Sequence, residues 1–437
     1  MGGWAEGAAP ATVRRPRRGA IDPVGTTAGS GPLPSGAVRR ATVVLIALRV
    51  VYAYNWYNIG PALPAIGSAF AVGPAEFGIL GAAFLVGAGA LQVPAGLLAR
   101  RWGPRRVSIL GAGLLAVAGI ASGFSPTYDA LVAFRLAAGC GAALFFSPAI
   151  GLVASLYPPG RRGLPVGTFS SAFSLGSALG LLGTSLLIGP VGWRGSLEVG
   201  GVLLGVLTLV ALVAIPASAG AASTAPRTPG VPASLRYRGV WAVGLAFIGI
   251  EGATFATGQF IVPWGEVVHD WAPLLAGLVA IAFVLPSLFG GPVGGPIAER
   301  FRNHRTQFLL AVGMSAGVLA LLPFVGLAAV VAIGIVFAFG YGVVYAGMYV
   351  LPHFWKEVPG DEVPLAIGLF NAMQLAGGAA VLFLFGAVAA ATSYALAWEV
   401  LAVLTVGTLV ALVALPPTPA VGPAVGASDA RPTAPAR

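Results

Sequence analysis

Charge is what this chain lacks most. Only 9% of its 437 residues are Asp, Glu, Lys or Arg, where soluble domains carry about 25%. So few charges cannot cover a water-facing surface, which excludes an ordinary soluble globular protein. Cysteine is confined to Cys140, inside an apolar run, so a disulfide framework and a cysteine-based metal site are both excluded. His269, His304 and His353 lie far apart with no ligand spacing, and neither a metal nor any other cofactor is expected. No HExxH and no intramembrane nucleophile beside a base occurs, so an enzyme is not expected. Residues 1–42 lack the apolar core and small-residue cleavage site of a leader. They are rich in Pro, Gly, Ala and Arg and, like 416–437, are expected to form disordered tails.

What is present is apolar: 57% of the residues, with 64 Gly and 35 Pro among the chain's commonest types. About 20 apolar residues cross the ~30 Å of a bilayer's hydrocarbon. Apolar windows fall at about 43–62, 77–99, 107–124, 130–156, 164–188, 195–215, 239–262, 274–296, 307–325, 327–352, 365–390 and 394–415. They predict an all-α membrane protein of twelve transmembrane helices. The net charge of +10 does not point to nucleic acid, because no basic module with interleaved aromatics faces water.

Its basic residues instead set orientation. With the amino terminus in the cytoplasm, 21 of the 24 Lys and Arg fall in cytoplasmic segments, and only Arg49, Arg135 and Arg194 do not. An odd helix count would destroy that asymmetry. A multi-pass protein of the cell membrane with both termini cytoplasmic is therefore expected. The chain also repeats at an offset near 200: "TLVALVA" occurs at 208–214 and 408–414, and "VGTFSSAFSLG" (166–176) aligns with "IGLFNAMQLAG" (367–377). Two six-helix bundles follow, at 43–215 and 239–415, joined by a polar, Pro-rich cytoplasmic linker at 216–238.

Local motifs agree with that duplication. "GILGAAFLVGAGALQVPAGLLARRWGPRR" (78–106), "RLAAGCGAA" (135–143), "NWYNIGPALP" (55–64) and "GWR" (192–194) together resemble the major facilitator superfamily over roughly residues 43–415. The resemblance implies that family's fold, a small-molecule substrate, and alternating access between the bundles. Gly96, Arg101, Gly103, Arg105 and, in the second half, Glu299 and Arg300 match its cytoplasmic gate motif. Arg100 stands where the family has an acid. A cation repels the positive end of a helix dipole, so either Glu299 anchors the gate alone, the favoured reading, or the first-half latch is weakened. Helix 5 lacks the Gly-Pro pair of the family's antiporter motif.

Few ionisable residues lie deep, and each charge there costs about 2.5–3.5 kcal/mol. Glu251, a dozen residues into helix 7, is the expected proton-coupling carboxyl, and Arg135 on helix 4 is the family's arginine often tied to proton movement or gating. Arg49, Tyr52 and Trp56 form an i, i+3, i+7 stripe with Asn55 adjacent, suited to hold an anion. Aligning Pro64 with Pro263 brings Arg49 near Glu251 across the repeat. Further cavity candidates are Gln259 on helix 7, Tyr341, Tyr345 and Tyr349 on helix 10, Asn371 and Gln374 on helix 11, and Ser170 and Ser174 on helix 5. Gly139, Gly141, Gly176, Gly180, Gly377 and Gly378 permit close helix approach, for rocking or for plain packing. The reading favoured by these residues is a monomeric, proton-linked secondary transporter of a small organic anion. Efflux of amphipathic compounds is the alternative within transporters, and a membrane sensor or an intramembrane enzyme the alternatives outside them.

Overall fold

A computed structural model describes residues 33–414 apart from 159–160, 220–232, 301–303, 352–354, 356 and 359–361. Both expected tails and the middle of the expected linker therefore lie almost wholly outside the described residues. Within them the chain is helical and no strand occurs.

Twelve spans follow one another, several of them broken. The first comprises Ser35–Tyr57 and Ile59–Phe70, starting ahead of its apolar window, and the second Pro74–Ala90 and Gln92–Trp102. Pro104–Gly123 and Tyr128–Ser155 are the third and fourth. The fifth and sixth run together as Gly163–Ala214, a 52-residue stretch turned at Gly192, whose φ of 70° is a conformation glycine adopts without strain. Arg238–His269 is the seventh, Pro273–Ala282 with Ser287–Arg300 the eighth, and His304–Ala320 the ninth. The tenth and eleventh are Leu327–Val350 and Val363–Ala391. Tyr394–Gly407, extended by a 3-10 turn Thr408–Ala414, is the twelfth. Among the described residues, eight stretches are by themselves long and apolar enough to cross a membrane, nine with the second span, which bends by 41°.

Proline explains the breaks. Lacking an N–H, Pro61 cannot bond the carbonyl of Tyr57, Pro94 that of Ala90, or Pro286 that of Ala282. The helix gives way beside each of them.

Arginines join the third and sixth spans at both ends. Arg105, opening the third, donates to the terminal carbonyls of the sixth at Ile215 (2.9 Å) and Leu212 (2.7 Å). Arg194, near the start of the sixth, donates to Gly123 (2.9 Å) and Ser125 (2.6 Å) at the end of the third. Each cation thus meets the negative end of its neighbour's dipole and fills carbonyls that a helix leaves unbonded. The arginine of the expected gate motif holds its own bundle together here.

The two halves meet through spans 1 and 7, 2 and 11, and 5 and 8. Glycine sets the distance. A Cβ on Gly78 would lie 2.6 Å from the Leu382 carbonyl, and one on Gly60 2.7 Å from that of Gly258. These contacts sit at the end of the molecule that holds Asn58, Gly73 and Gly192. There Ile59–Phe70 packs along span 7, while Ser35–Tyr57 reaches span 7 at its last turn, through Trp56 on Phe255 and Tyr57 against Gly258. The space between the halves is thus closed at that end. Of the glycines singled out in the sequence, Gly141 packs on span 3 and Gly180 on span 1, inside their bundle, while Gly378 faces both Phe255 of span 7 and Leu85 of the other half.

Candidate functional site

Three charged side chains are buried among the described residues: Arg49 (5% exposed), Arg135 (4%) and Glu251 (7%). Each sits on a span that faces the junction of the halves.

Arg49 lies in a cage of rings. Its guanidinium carbon is 4.3 Å from the centroid of Phe146, 4.6 Å from Phe173, 4.7 Å from Tyr52 and 5.5 Å from Phe169. Helical spacing explains the set. Tyr52 follows Arg49 by three residues on span 1, and Phe169 and Phe173, four apart, share one face of span 5. Ring faces attract a cation by about 0.5–2 kcal/mol each, more as water is excluded, so this charge is held without being neutralised by the rings.

Glu251 accepts a hydrogen bond from the Tyr341 hydroxyl at 2.9 Å. The Tyr345 ring lies 5.4 Å from that of Tyr341, one helical turn further on. From the other half, Tyr57 lies within electrostatic reach of Glu251, and its ring is 6.0 Å from Phe173 of the Arg49 cage. Tyr57 thus adjoins both the Arg49 cage and Glu251.

Trp56 joins the halves. It stacks on Phe255 of span 7 at 5.6 Å and 25°, and meets Tyr52 at 5.7 Å and Phe84 at 4.7 Å. Beyond it lies Arg135, which donates to the Asn55 carbonyl at 3.2 Å and rests 4.5 Å from the Phe84 centroid.

The remaining candidates separate. Asn55 turns into its own bundle, donating to Val51 (2.8 Å) and Gly200 (3.0 Å), away from Glu251 and the Tyr341–Tyr345 pair. Gln259 crosses between the halves to donate to the Phe77 carbonyl, fitting over Gly81, where any Cβ would collide with it. Gln374 donates to the Met348 sulfur at 2.7 Å, and Asn371 is half-buried one turn earlier on the same helix. Ser174 meets Ser287 at 2.8 Å. The Ser287 proton already goes to Val284, so Ser174 is the donor across the halves. Ser170 bonds back to Val166 and is exposed. Arg101 is exposed, and Gly96 has open space around it. The side chains of Glu299, Arg300 and Tyr349 lie outside the described residues.

Residues that the sequence did not single out complete the site: Tyr57, Phe84, Phe146, Phe169, Phe173, Phe255 and Ser287. The four-residue spacing of Phe169 and Phe173 was a signal, but apolar packing produces the same pattern.

Two repeated six-helix halves, with three buried charged side chains among the described residues, define a multi-span helical membrane protein. The chain belongs to the Major Facilitator Superfamily, whose family model matches residues 45–354 and 259–436. It is similar to a chloramphenicol resistance protein of Streptomyces lividans, 31% identical over 59% of this chain and 65% of that one. It is also similar to the 4-hydroxybenzoate transporter PcaK of Pseudomonas aeruginosa, 28% identical over 39% of this chain and 38% of that one. Among solved structures, a D-xylose-proton symporter superposes with a TM-score of 0.70 at 15% identity, covering 87% of this chain and 99% of the other. The chain spans 36%, 22% and 60% of the length of three further curated relatives.

Proposed function

We propose that the chain is a proton-coupled secondary transporter of a small organic anion, working by alternating access between halves 43–215 and 239–415. The observation that carries this is the buried charge: two arginines and one glutamate among the described residues. With Glu251 ionised, the buried charged side chains among the described residues carry two positive charges and one negative, a setting suited to an anion. A negative charge arriving at Arg49 then disfavours a second one at Glu251, so the carboxylate takes up a proton. Anion and proton thereby assist each other's binding. Tyr341 holds the ionised carboxylate until that exchange occurs.

Arginine asymmetry places both termini and the 216–238 linker in the cytoplasm, so the closed end described above faces outside and the halves open inward. Cysteines placed singly at Ser223 and Ser428, in a Cys140→Ala background, should react with impermeant maleimide only after permeabilisation. Reaction in intact cells would reverse the orientation.

The likeness to a chloramphenicol resistance protein favours a second reading, export of amphipathic compounds. Thermal-shift measurements on purified protein separate the two, using panels of carboxylates, sugars, amino acids and lipophilic cations. Stabilisation by carboxylates is the expected result. Stabilisation by lipophilic cations alone would favour export.

A further inference from the structure

Arg135 does not share the Arg49 cage. It borders a separate void of about 20 Å³, room for one water molecule. Trp56, Phe84, Phe255 and Gln259 line the same void, and among the described residues no acidic side chain does. A buried cation without a counter-charge is costly unless its environment supplies one. One donor, Nη1, is engaged by the Asn55 carbonyl, while Nε has no hydrogen-bond partner. An anchored Nη1 leaves the opposite edge of the guanidinium, carrying Nε, to meet both oxygens of a carboxylate.

Position adds the second half of the argument. Trp56 stands between this void and the Arg49 cage, touching Phe84 of one and Tyr52 of the other. Gln259 and the Gly60–Gly258 approach close the void at the end held outside by the proposed orientation. Both are contacts between the halves, so they must part when that end opens, and Arg135 is what they would uncover.

We infer that Arg135 and Gln259 form a second carboxylate station, beyond Trp56 from Arg49, which a planar aromatic carboxylate occupies from the outer side. It rests on the organic-anion reading above and assigns Arg135 to substrate, where the sequence placed it with proton coupling. The charge binds the guanidinium edge, and the ring packs among Trp56, Phe84 and Phe255 in the offset or edge-on contacts aromatic pairs prefer. An aliphatic acid of the same charge gains only the first contact.

Leu382 lines the void and provides the probe. In a Cys140→Ala background, Leu382→Cys is labelled from outside by an impermeant trimethylammonium methanethiosulfonate, with benzoate or acetate added as protectant. Benzoate should protect at concentrations at least about tenfold below those of acetate. Adding Arg135→Gln should raise the protective benzoate concentration about tenfold or more, with Arg135→Lys in between. Arg49→Gln should leave it within about threefold, although transport falls. Equal protection in Arg135→Gln and in its parent would overturn the station, as would equal loss in Arg49→Gln. Failure of Leu382→Cys to label from outside would overturn it as well. If Arg135→Gln does not reach the membrane, Arg135→Lys alone decides, and unchanged protection there counts against the station. Should no carboxylate protect any variant or stabilise the purified protein, the organic-anion reading falls and the station with it; benzoate that stabilises yet does not protect removes the station only.

Discussion

Glu251→Gln in proteoliposomes is expected to abolish accumulation driven by a pH gradient while exchange between two loaded pools continues. Glutamine has the shape of the protonated carboxyl and cannot release a proton, so the variant is held in the state that anion binding favours. A gradient of one pH unit stores about 1.4 kcal/mol, enough for roughly tenfold accumulation by a carrier moving one proton per monoanion. Without the titrating group the ratio should fall to about one, and exchange should stay within about threefold of wild type. The Tyr341 hydrogen bond gives an internal control. Tyr341→Phe removes the donor but not the carboxyl, so accumulation should survive, with a changed pH profile. Undiminished accumulation by Glu251→Gln would return Glu251 to a structural role beside Tyr341.

Arg49 carries the second large effect. Truncating one partner of a buried charge pair costs about 2–5 kcal/mol, so Arg49→Gln should weaken anion binding by roughly thirtyfold or more. Lysine should restore little of it. The rings of Phe146, Phe173, Tyr52 and Phe169 surround a planar guanidinium within 5.5 Å, and a compact, strongly hydrated ammonium neither stacks as well nor offers a two-pronged edge. Calorimetric titration with benzoate of variants purified in an Arg135→Gln background, which removes the outer station, measures both. Wild-type affinity in Arg49→Lys would show that charge alone suffices, and wild-type affinity in Arg49→Gln would remove the anion from this site.

Why the helices were legible in the sequence while half the site was not follows from what each depends on. Spans are local: hydropathy and the arginine asymmetry need no neighbours, and the twelve windows match twelve spans. Their breaks were missed because Pro61, Pro94 and Pro286 lie within apolar runs that hydropathy reads as continuous. Arg49, Tyr52 and Trp56 share a stripe on one helix, and the structure brings them to one place. Asn55 sits on the same helix but faces Gly200, since a helix has two sides and spacing alone does not say which one meets the other half. Phe146, Phe169, Phe173 and Phe255 look like any membrane aromatic until the folded chain sets them around Arg49 and Trp56. Arg105 was read through its motif as part of a gate, while its partners, Leu212 and Ile215, come from the end of the sixth span, more than 100 residues on in the same bundle. Gly60 and Gly78 lie in the quoted motif stretches, but that they set the junction became visible only through the backbone opposite them.

Proton movement on addition of anion tests the central claim most directly. Liposomes containing the protein and an internal pH dye, with no initial gradient, receive external benzoate, and the rate is compared with that of protein-free liposomes. A protein-dependent acidification of the interior, lost in Glu251→Gln and in Arg49→Gln, is the result the account predicts. Benzoate entry without any protein-dependent change in internal pH, or with alkalinisation, would contradict it.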